Sequence, residues 1–464
     1  MNLQNIRTIS LITIFSITLS ACGGGSDGSA EVIPPVTIVD SDGDSVEDSK
    51  DAFPNDASES VDTDGDGVGD NADVFPTDVT EWADDNDNGI GDNADAFQVN
   101  IGGPTGEEGD CSAATEGINW DALFTKNCSK LSDYNLFQES DDPTDNPNAG
   151  GVPYSLSTAL FTDYTTKYRY IFIPEGGKAE YTQSEVLNFP VGSVLVKTFA
   201  MPADTSSREG EELVIETRLL IHRADGWMAL PYYWNTEDDA TLAIAGKLVE
   251  NTVTVHKGEE LVFTYAVPKA TSCTSCHARA GYIEADISPI GPKARFLNSE
   301  HRYSSGNENQ LKYLEHMQLL TGLPSDISTV EKALVFNDSI DVSLLSDEEL
   351  IDTTEGYLDI NCAHCHRDGG AGAAGASGLQ VEYQRTFSDE TAKFGVCKTP
   401  VAGGHQDYSY DVVPGEPDSS YLHFRMNTTD PRHKMPELGR SIVHIEGVAL
   451  VREWITRLQA PSCP

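Results

Sequence analysis

Basic residues are scarce. The 464-residue chain carries 30 lysines and arginines against 75 aspartates and glutamates, a formal charge of −45. A surface of that sign excludes non-specific binding to nucleic acid or to anionic lipid, and it favours basic proteins and divalent cations as charged partners. Long apolar runs are nearly absent as well. One stands out, ISLITIFSITL at Ile9–Leu19, just after Arg7, and it is too short to span a bilayer as a stable helix. Its position and flanks read as an export signal. No later segment is apolar enough to be a second span, so the mature protein is expected to be held at a membrane without being embedded in it.

Cysteine is limited to nine residues, few enough to account for one by one. The signal ends in Leu-Ser-Ala-Cys, Leu19 to Cys22, followed by glycines. This resembles a bacterial lipobox, which implies lipidation of Cys22; the glycine after it leans towards the outer membrane, facing the periplasm or the exterior. An ordinary signal peptide with a chance cysteine is the bland alternative. Cys273/Cys276 and Cys362/Cys365 form two CxxC pairs, each followed by histidine. Export to an oxidising compartment makes the remaining four disulfide candidates. Proximity pairs Cys111 with Cys128, and shared membership of the C-terminal region pairs Cys397 with Cys463; four free thiols are the other reading.

Between Val39 and Phe97 the sequence repeats with a period of 22. The units DSDGDSVEDSKDAF, DTDGDGVGDNADVF and DDNDNGIGDNADAF place oxygen side chains at positions 1, 3, 5, 9 and 12. They supply Asp40, Asp42 and Asp44, then Asp62, Asp64, Asp66, Asp70 and Asp73, then Asp84, Asn86, Asn88, Asp92 and Asp95. Alternate carboxylates on a tight glycine-containing turn converge on a hard cation. Residues 40–100 hold 20 acidic groups and one basic one, Lys50, so without cations the segment would repel itself and extend. The pattern resembles thrombospondin type 3 calcium repeats, which implies a stiff calcium-loaded spacer. A disordered acidic stalk is the alternative, against which the phenylalanine ending each unit (Phe53, Phe75, Phe97) argues for a small repeated core.

From about Cys111 to Lys269 the texture is short β-rich runs separated by turn residues, such as VGSVLVKTFAMP and ELVIETRLLIHRADG. This predicts an antiparallel sandwich or barrel. Its lone histidines, His222 and His256, read as structural, and nothing in it assigns chemistry. Beyond Thr271 the pattern predicts helices and loops. Leu311, Leu314, Met317 and Leu320 recur at helical spacing, Ser346 and Glu349 form a capping-box pattern, and Val448, Val451, Ile455 and Leu458 share one face of a terminal helix.

INCAHCHRDGGAG, Ile360–Gly372, admits three chemistries. Zinc needs four ligands, commonly from two close pairs, and the pairs here are 89 positions apart, each with its own histidine. A thioredoxin-like pair opens a helix after a strand, whereas this one follows a predicted helix. Cys-x-x-Cys-His supplies what a c-type haem requires: two thiols to add across the vinyl groups and an imidazole as axial ligand. Two such motifs in an exported chain favour covalent haem at Cys273, Cys276 and His277, and at Cys362, Cys365 and His366. His364, between the cysteines, reads as a solvent-facing passenger.

Residues 346–464, in the order helix, CxxCH, glycine-rich loop, Met-Pro, final helix, resemble a class I cytochrome c domain. The resemblance implies Met435 as distal ligand to the haem of His366, with Met426 as runner-up and core packing as the plain alternative. No Met-Pro follows the first motif; Met317, His301 and His316 are its candidate sixth ligands, and an open position is another. Phrases such as PIGPKARFLN, VVPGEPDSSYLHFRM and MPELG resemble a family of exported dihaem c-type cytochromes. The expected fold is therefore multidomain: a signal at 1–21, a linker at 22–38, an acidic calcium-repeat stalk at 39–100, an all-β sandwich-like domain at 111–269, then mainly α cytochrome c-like haem domains at 270–345 and 346–464. The expected cofactors are two covalent haem c groups and calcium. The expected function is membrane-anchored electron transfer between extracytoplasmic donor and acceptor proteins. A dihaem peroxidase or oxidase with an open first haem, and a calcium-dependent adhesion role, are the competing classes.

Overall fold

The computed structural model describes residues 39–65, 67–77, 82–83, 111, 117–208, 210–235, 239–279, 286–370, 374–375, 377–401, 408–459 and 463–464. Cys22, Asp66 and the third repeat with Asp84, Asn86, Asn88, Asp92 and Asp95 lie outside them. The chain divides into two compact units, Met1–Ala83 and Asp84–Pro464.

The described part of the first unit is made of turns whose bonding repeats with the sequence. Asp40 accepts from the Gly43 amide at 2.8 Å and the Ser45 amide at 3.2 Å, and Asp62 accepts from Gly65 at 2.7 Å and Gly67 at 3.1 Å. Asp48 takes both the amide and the hydroxyl of Ser41, as Asp70 does those of Thr63. Asp51 and Asp73 are buried and accept from the amides of Phe53 and Phe75, whose rings are half-buried. The ninth and twelfth positions shape the loop, and the first, third and fifth, which also accept loop amides, converge.

The second unit is built on a six-stranded antiparallel meander: β1 (Gly151–Pro153), β2 (Thr166–Phe172), β3 (Val194–Pro202), β4 (Glu212–Arg223), β5 (Gly226–Trp234) and β6 (Ala240–Leu242), hydrogen-bonded in that order. Side chains alternate between faces. One face carries Tyr170, Phe172, Val194, Val196, Leu219, Ile221, Leu230 and Tyr232, packed against α1 (Trp120–Thr125) and the coil through Phe137, where Cys111 is bonded to Cys128. The other face carries Ile171, Leu195 and Leu220, covered by α3 (Ala294–Leu297), α4 (Gln310–His316) and nearby coil. A separate two-stranded ribbon, β7 (Lys247–His256) with β8 (Glu259–Val267), leads into α2 (Ser272–His277).

The C-terminal part holds α5 (Asp347–Asn361), α6 (Tyr421–Met426) and α7 (Ile445–Arg457). The α5 capping box forms as its sequence predicts: Ser346 caps the Glu349 amide and Glu349 returns to Ser346. Leu350, Tyr357 and Leu358 of α5 share a core with Val448, Val451, Trp454 and Ile455 of α7. The helices cross closely because residue 447 is glycine; a Cβ there would strike the Tyr357 hydroxyl. Cys397 is bonded to Cys463 at the rim of this region.

This corrects the fold expected from the sequence. The cover of the meander is mixed: coil and short helices take most of it, and only the two-stranded β7/β8 ribbon packs sheet on sheet, Tyr265 and Val267 against Met201 and Ile215. Mainly α haem domains do not form. The described chain is predominantly sheet and loop, and only α5 and α7 exceed two turns. The helix predicted around Met317 stops at His316, because Gln318 adopts a left-handed conformation (φ 60°) and Leu320 pairs in a short strand instead. Among the described residues no helix is long and apolar enough to cross a membrane.

Candidate functional site

Cys362 caps the C-terminus of α5. The Cys362 and Ala363 amides both return to the Leu358 carbonyl, and the His366 amide donates to the Cys362 carbonyl at 2.8 Å. The CxxCH segment is therefore a compact turn fixed to a helix end. Its histidine has a definite tautomer. Ser377 gives its hydroxyl proton to the Ala374 carbonyl at 2.7 Å, so the 3.2 Å contact between Ser377 Oγ and His366 Nδ1 needs its proton from the imidazole. Nε2 then keeps its lone pair. Burial holds this imidazole down at about 4, so it stays neutral.

Met435 sits in the loop between α6 and α7. Its amide donates to the Arg425 carbonyl at 2.9 Å, and Arg440 Nε donates to the Met435 carbonyl at 3.0 Å. Arg440, itself buried, also donates to the carbonyls of Arg425, Met426, Thr428 and Ile442, fixing the whole turn. Arg440 is not legible in the sequence, because an arginine that serves only backbone carbonyls has no motif.

Cys362, Cys365, His366, Met426 and Met435 line one cavity of about 520 Å³. That volume is in the range of small-molecule and cofactor sites. Leu358, Leu379, Val381, Leu422 and Val448 make much of the wall apolar, while Arg425, Lys398 and Arg432 supply cations. Two thiols, an imidazole with a free Nε2 and a thioether around an apolar space form a donor set that fits a c-type haem.

The first CxxCH lies in α2. The His277 Nδ1 contacts the Ser288 carbonyl at 2.9 Å, and since a carbonyl only accepts, Nδ1 carries the proton and Nε2 is again free. Burial holds this imidazole down at about 4 and pushes the Cys273 thiol up to about 11. The second motif lies against the first. The Cys365 thiol donates to the Ser275 carbonyl at 3.6 Å, and the ligand atoms of Cys276, His364 and Cys365 all lie within 4.8 Å of one another. The adjacent Cys365 side chain pulls Cys276 down to about 4, and the same closeness pushes Cys365 up. His364 is thus not a solvent-facing passenger; it is half-buried between the motifs, with Nδ1 enclosed and without a partner.

The residues expected to complete the first site are elsewhere. Met317 is 49% exposed at the end of α4, His316 is exposed beside Glu308, and His301 Nδ1 is 3.2 Å from Ser155 Oγ. None of the three lines the cavity of about 520 Å³ or the second, of about 20 Å³, beside Cys276 and His277. The strand histidines are structural in different ways: His222 stacks on Trp227, while His256 is buried with Nδ1 2.8 Å from Thr205 and Nε2 3.0 Å from Glu446. Glu446 also accepts from Tyr164 at 2.9 Å. In the first unit, the carboxylates of Asp40, Asp42 and Asp44 lie within 4.8 Å of one another, and Asp42 Oδ2 is buried without a partner. This trio fits a hard divalent cation. In the second repeat Asp62 is bonded as Asp40 is, and Asp66 lies outside the described residues. No family model, no curated protein and no solved structure matches this chain.

Proposed function

We propose that the chain is an exported c-type electron-transfer protein that carries two covalent haems and serves extracytoplasmic donor and acceptor proteins. The observation that carries this reading is the cavity lined together by Cys362, Cys365, His366 and Met435. A haem bound through the two cysteines supplies reversible one-electron chemistry. The chain's own part is to hold the His366 Nε2 as a neutral donor, to fix the Met435 loop through Arg440, and to keep water from the apolar wall. Thioether ligation favours the reduced iron and raises the potential. Cys273, Cys276 and His277 serve the second group, and the contact between Cys276 and Cys365 supports a relay that needs no domain movement. Asp40, Asp42 and Asp44 serve calcium in a stiff spacer behind a lipidated Cys22 at the outer membrane. The −45 charge favours basic redox partners.

A second reading, a dihaem enzyme with an open position at the first haem, has one observation in its favour: Met317, His301 and His316 all lie away from both cavities. A redox titration of the protein from a host that attaches c-type haem, followed by visible spectra, separates the readings. We expect two low-spin one-electron steps. The far-red band of Met–Fe(III) ligation should disappear in Met435→Ala and persist in Met426→Ala. A high-spin component at one haem favours the enzyme, and an absence of c-type bands removes both readings.

A further inference from the structure

The connector that leads into β2 has a strained backbone. Asp163 and Tyr164 stand side by side in the left-handed region, at φ 46° and 61°. A residue other than glycine seldom adopts that conformation, and for one as bulky as tyrosine it is an outlier. Such strain persists only where the surroundings over-determine it. Here both residues are buried, and both side chains grip the C-terminal region. Asp163 Oδ1 accepts from the Ser441 amide at 2.7 Å and from the Ile442 amide at 3.0 Å. The Tyr164 hydroxyl accepts from the Ile445 amide at 3.1 Å and donates to Glu446 at 2.9 Å. Its ring lies on His256 at 4.0 Å, and its carbonyl takes Arg208 Nη1 at 2.9 Å. The β-ribbon holds Ser441 a second time, through the hydroxyl that donates to the Thr264 carbonyl at 2.6 Å. Ser441 directly follows Arg440, the residue that donates to the Met435 carbonyl.

The same connector reaches the opposite support of the cavity. The Phe161 amide donates to Asn361 Oδ1 at 2.8 Å, and Asn361 is the last residue of α5, next to Cys362. The Phe161 ring stacks on His444 at 4.2 Å. Phe161, Asn361, Cys362, Met435, Arg440 and His444 all line the cavity of about 520 Å³. Four consecutive residues of the β-rich region are therefore bonded at once to the helix end that presents Cys362 and to the loop that follows Met435.

Resting on the haem reading of this cavity, we propose that Phe161–Tyr164 is a positioning clamp for the axial ligand Met435. It fixes the separation between the turn that bears Cys362 and His366 and the loop that bears the thioether. The β-rich region, to which the sequence assigns no chemistry, then serves the choice of ligand at the second CxxCH motif.

The test uses the full chain matured with haem. It compares Asp163→Ala and Tyr164→Phe with Asp163→Asn and with Leu311→Ala, a truncation in the separate core under α4. Peptide mass locates the haems, and denaturant titration gives stability. Imidazole titration of the oxidised protein, followed at the far-red band, reports how readily Met435 is displaced. We expect Asp163→Ala to keep its haems, to lose far-red intensity and to bind imidazole at least about tenfold more tightly, because two amides beyond Met435 lose a charged acceptor. The potential of that step should fall with the thioether. Tyr164→Phe should move the imidazole affinity the same way by less. Asp163→Asn keeps an oxygen that can take both amides and should stay close to the wild type. Leu311→Ala should lower stability and leave imidazole binding unchanged. An unaltered band and affinity in Asp163→Ala and Tyr164→Phe overturn the proposal. So does an equal rise in Leu311→Ala, since lost stability alone would then explain it. If Asp163→Ala does not fold, Tyr164→Phe against Leu311→Ala decides by the same readings. A wild-type chain without haem at Cys362 and Cys365 overturns the haem reading and the clamp with it, and the peptide mass alone reveals that.

Discussion

Each CxxCH histidine hands its Nδ1 proton to an oxygen that can only accept it, Ser377 Oγ at one site and the Ser288 carbonyl at the other. The motifs were legible residue by residue, because their spacing is the chemistry. The tautomers were not, since Ser377 and Ser288 lie 11 positions from their histidines in loops without a pattern. The place of His364 was hidden for a related reason: its surroundings come from the other motif. One further histidine has a consequence in pH. His444 stacks on Phe161 at 4.2 Å, contacts the Tyr357 hydroxyl at 3.0 Å and lines the cavity. Burial holds it down at about 4, below its ordinary 6.5. Between those values the unfolded chain binds a proton that the folded chain refuses, so stability falls as pH drops through this window and its contribution is complete above it. Thermal midpoints measured from pH 7 to pH 4 should decline, and His444→Phe should flatten part of the decline; an identical slope in the variant would contradict this.

At the scale of elements, α5 and α7 could be read directly, one from its capping box and the other from its apolar stripe. The stripe through Met317 was just as regular, yet backbone conformation at Gln318 ended that helix, and periodicity does not report such local geometry. β2 to β5 and the two ribbon strands were visible as β texture, but the three-residue β1 and β6 were not, nor was the assembly into one meander, because a strand pattern is the same whether coil or a second sheet covers it. The repeats were legible as a period, and the bonding of Asp40 and Asp62 follows it. Since Asp42 Oδ2 is buried and unpartnered between Asp40 and Asp44, calcium is expected to stabilise this element. Calorimetric titration of the full chain should give heat of calcium binding, and Asp42→Asn should weaken the affinity on the order of tenfold by removing a charged ligand. No heat with the wild-type chain would contradict calcium ligation.

At the scale of the whole second unit, what the sequence concealed is that the two CxxCH segments meet, although they are 89 residues apart. A buried ion triad holds the approach: Asp359 of α5 takes Lys293 and Arg295 at 2.8 Å each, tying the segment after the first motif to the helix before the second. Removing the carboxylate leaves buried Lys293 with no carboxylate and Arg295 with only Glu331 at 3.5 Å, so Asp359→Ala should cost about 3–5 kcal/mol. Denaturant titration checks this, and a loss below about 1 kcal/mol would show that the triad does not hold the motifs together. Everything proposed for the site depends on covalent haem at both CxxCH motifs. The intact mass decides it, measured on the exported chain and on two double variants, Cys273→Ser with Cys276→Ser and Cys362→Ser with Cys365→Ser. Two haem additions are expected on the wild-type chain and one on each variant. A wild-type mass without any haem addition, with Cys276, His364 and Cys365 free to take a metal ion or oxidise, would contradict covalent haem at either motif.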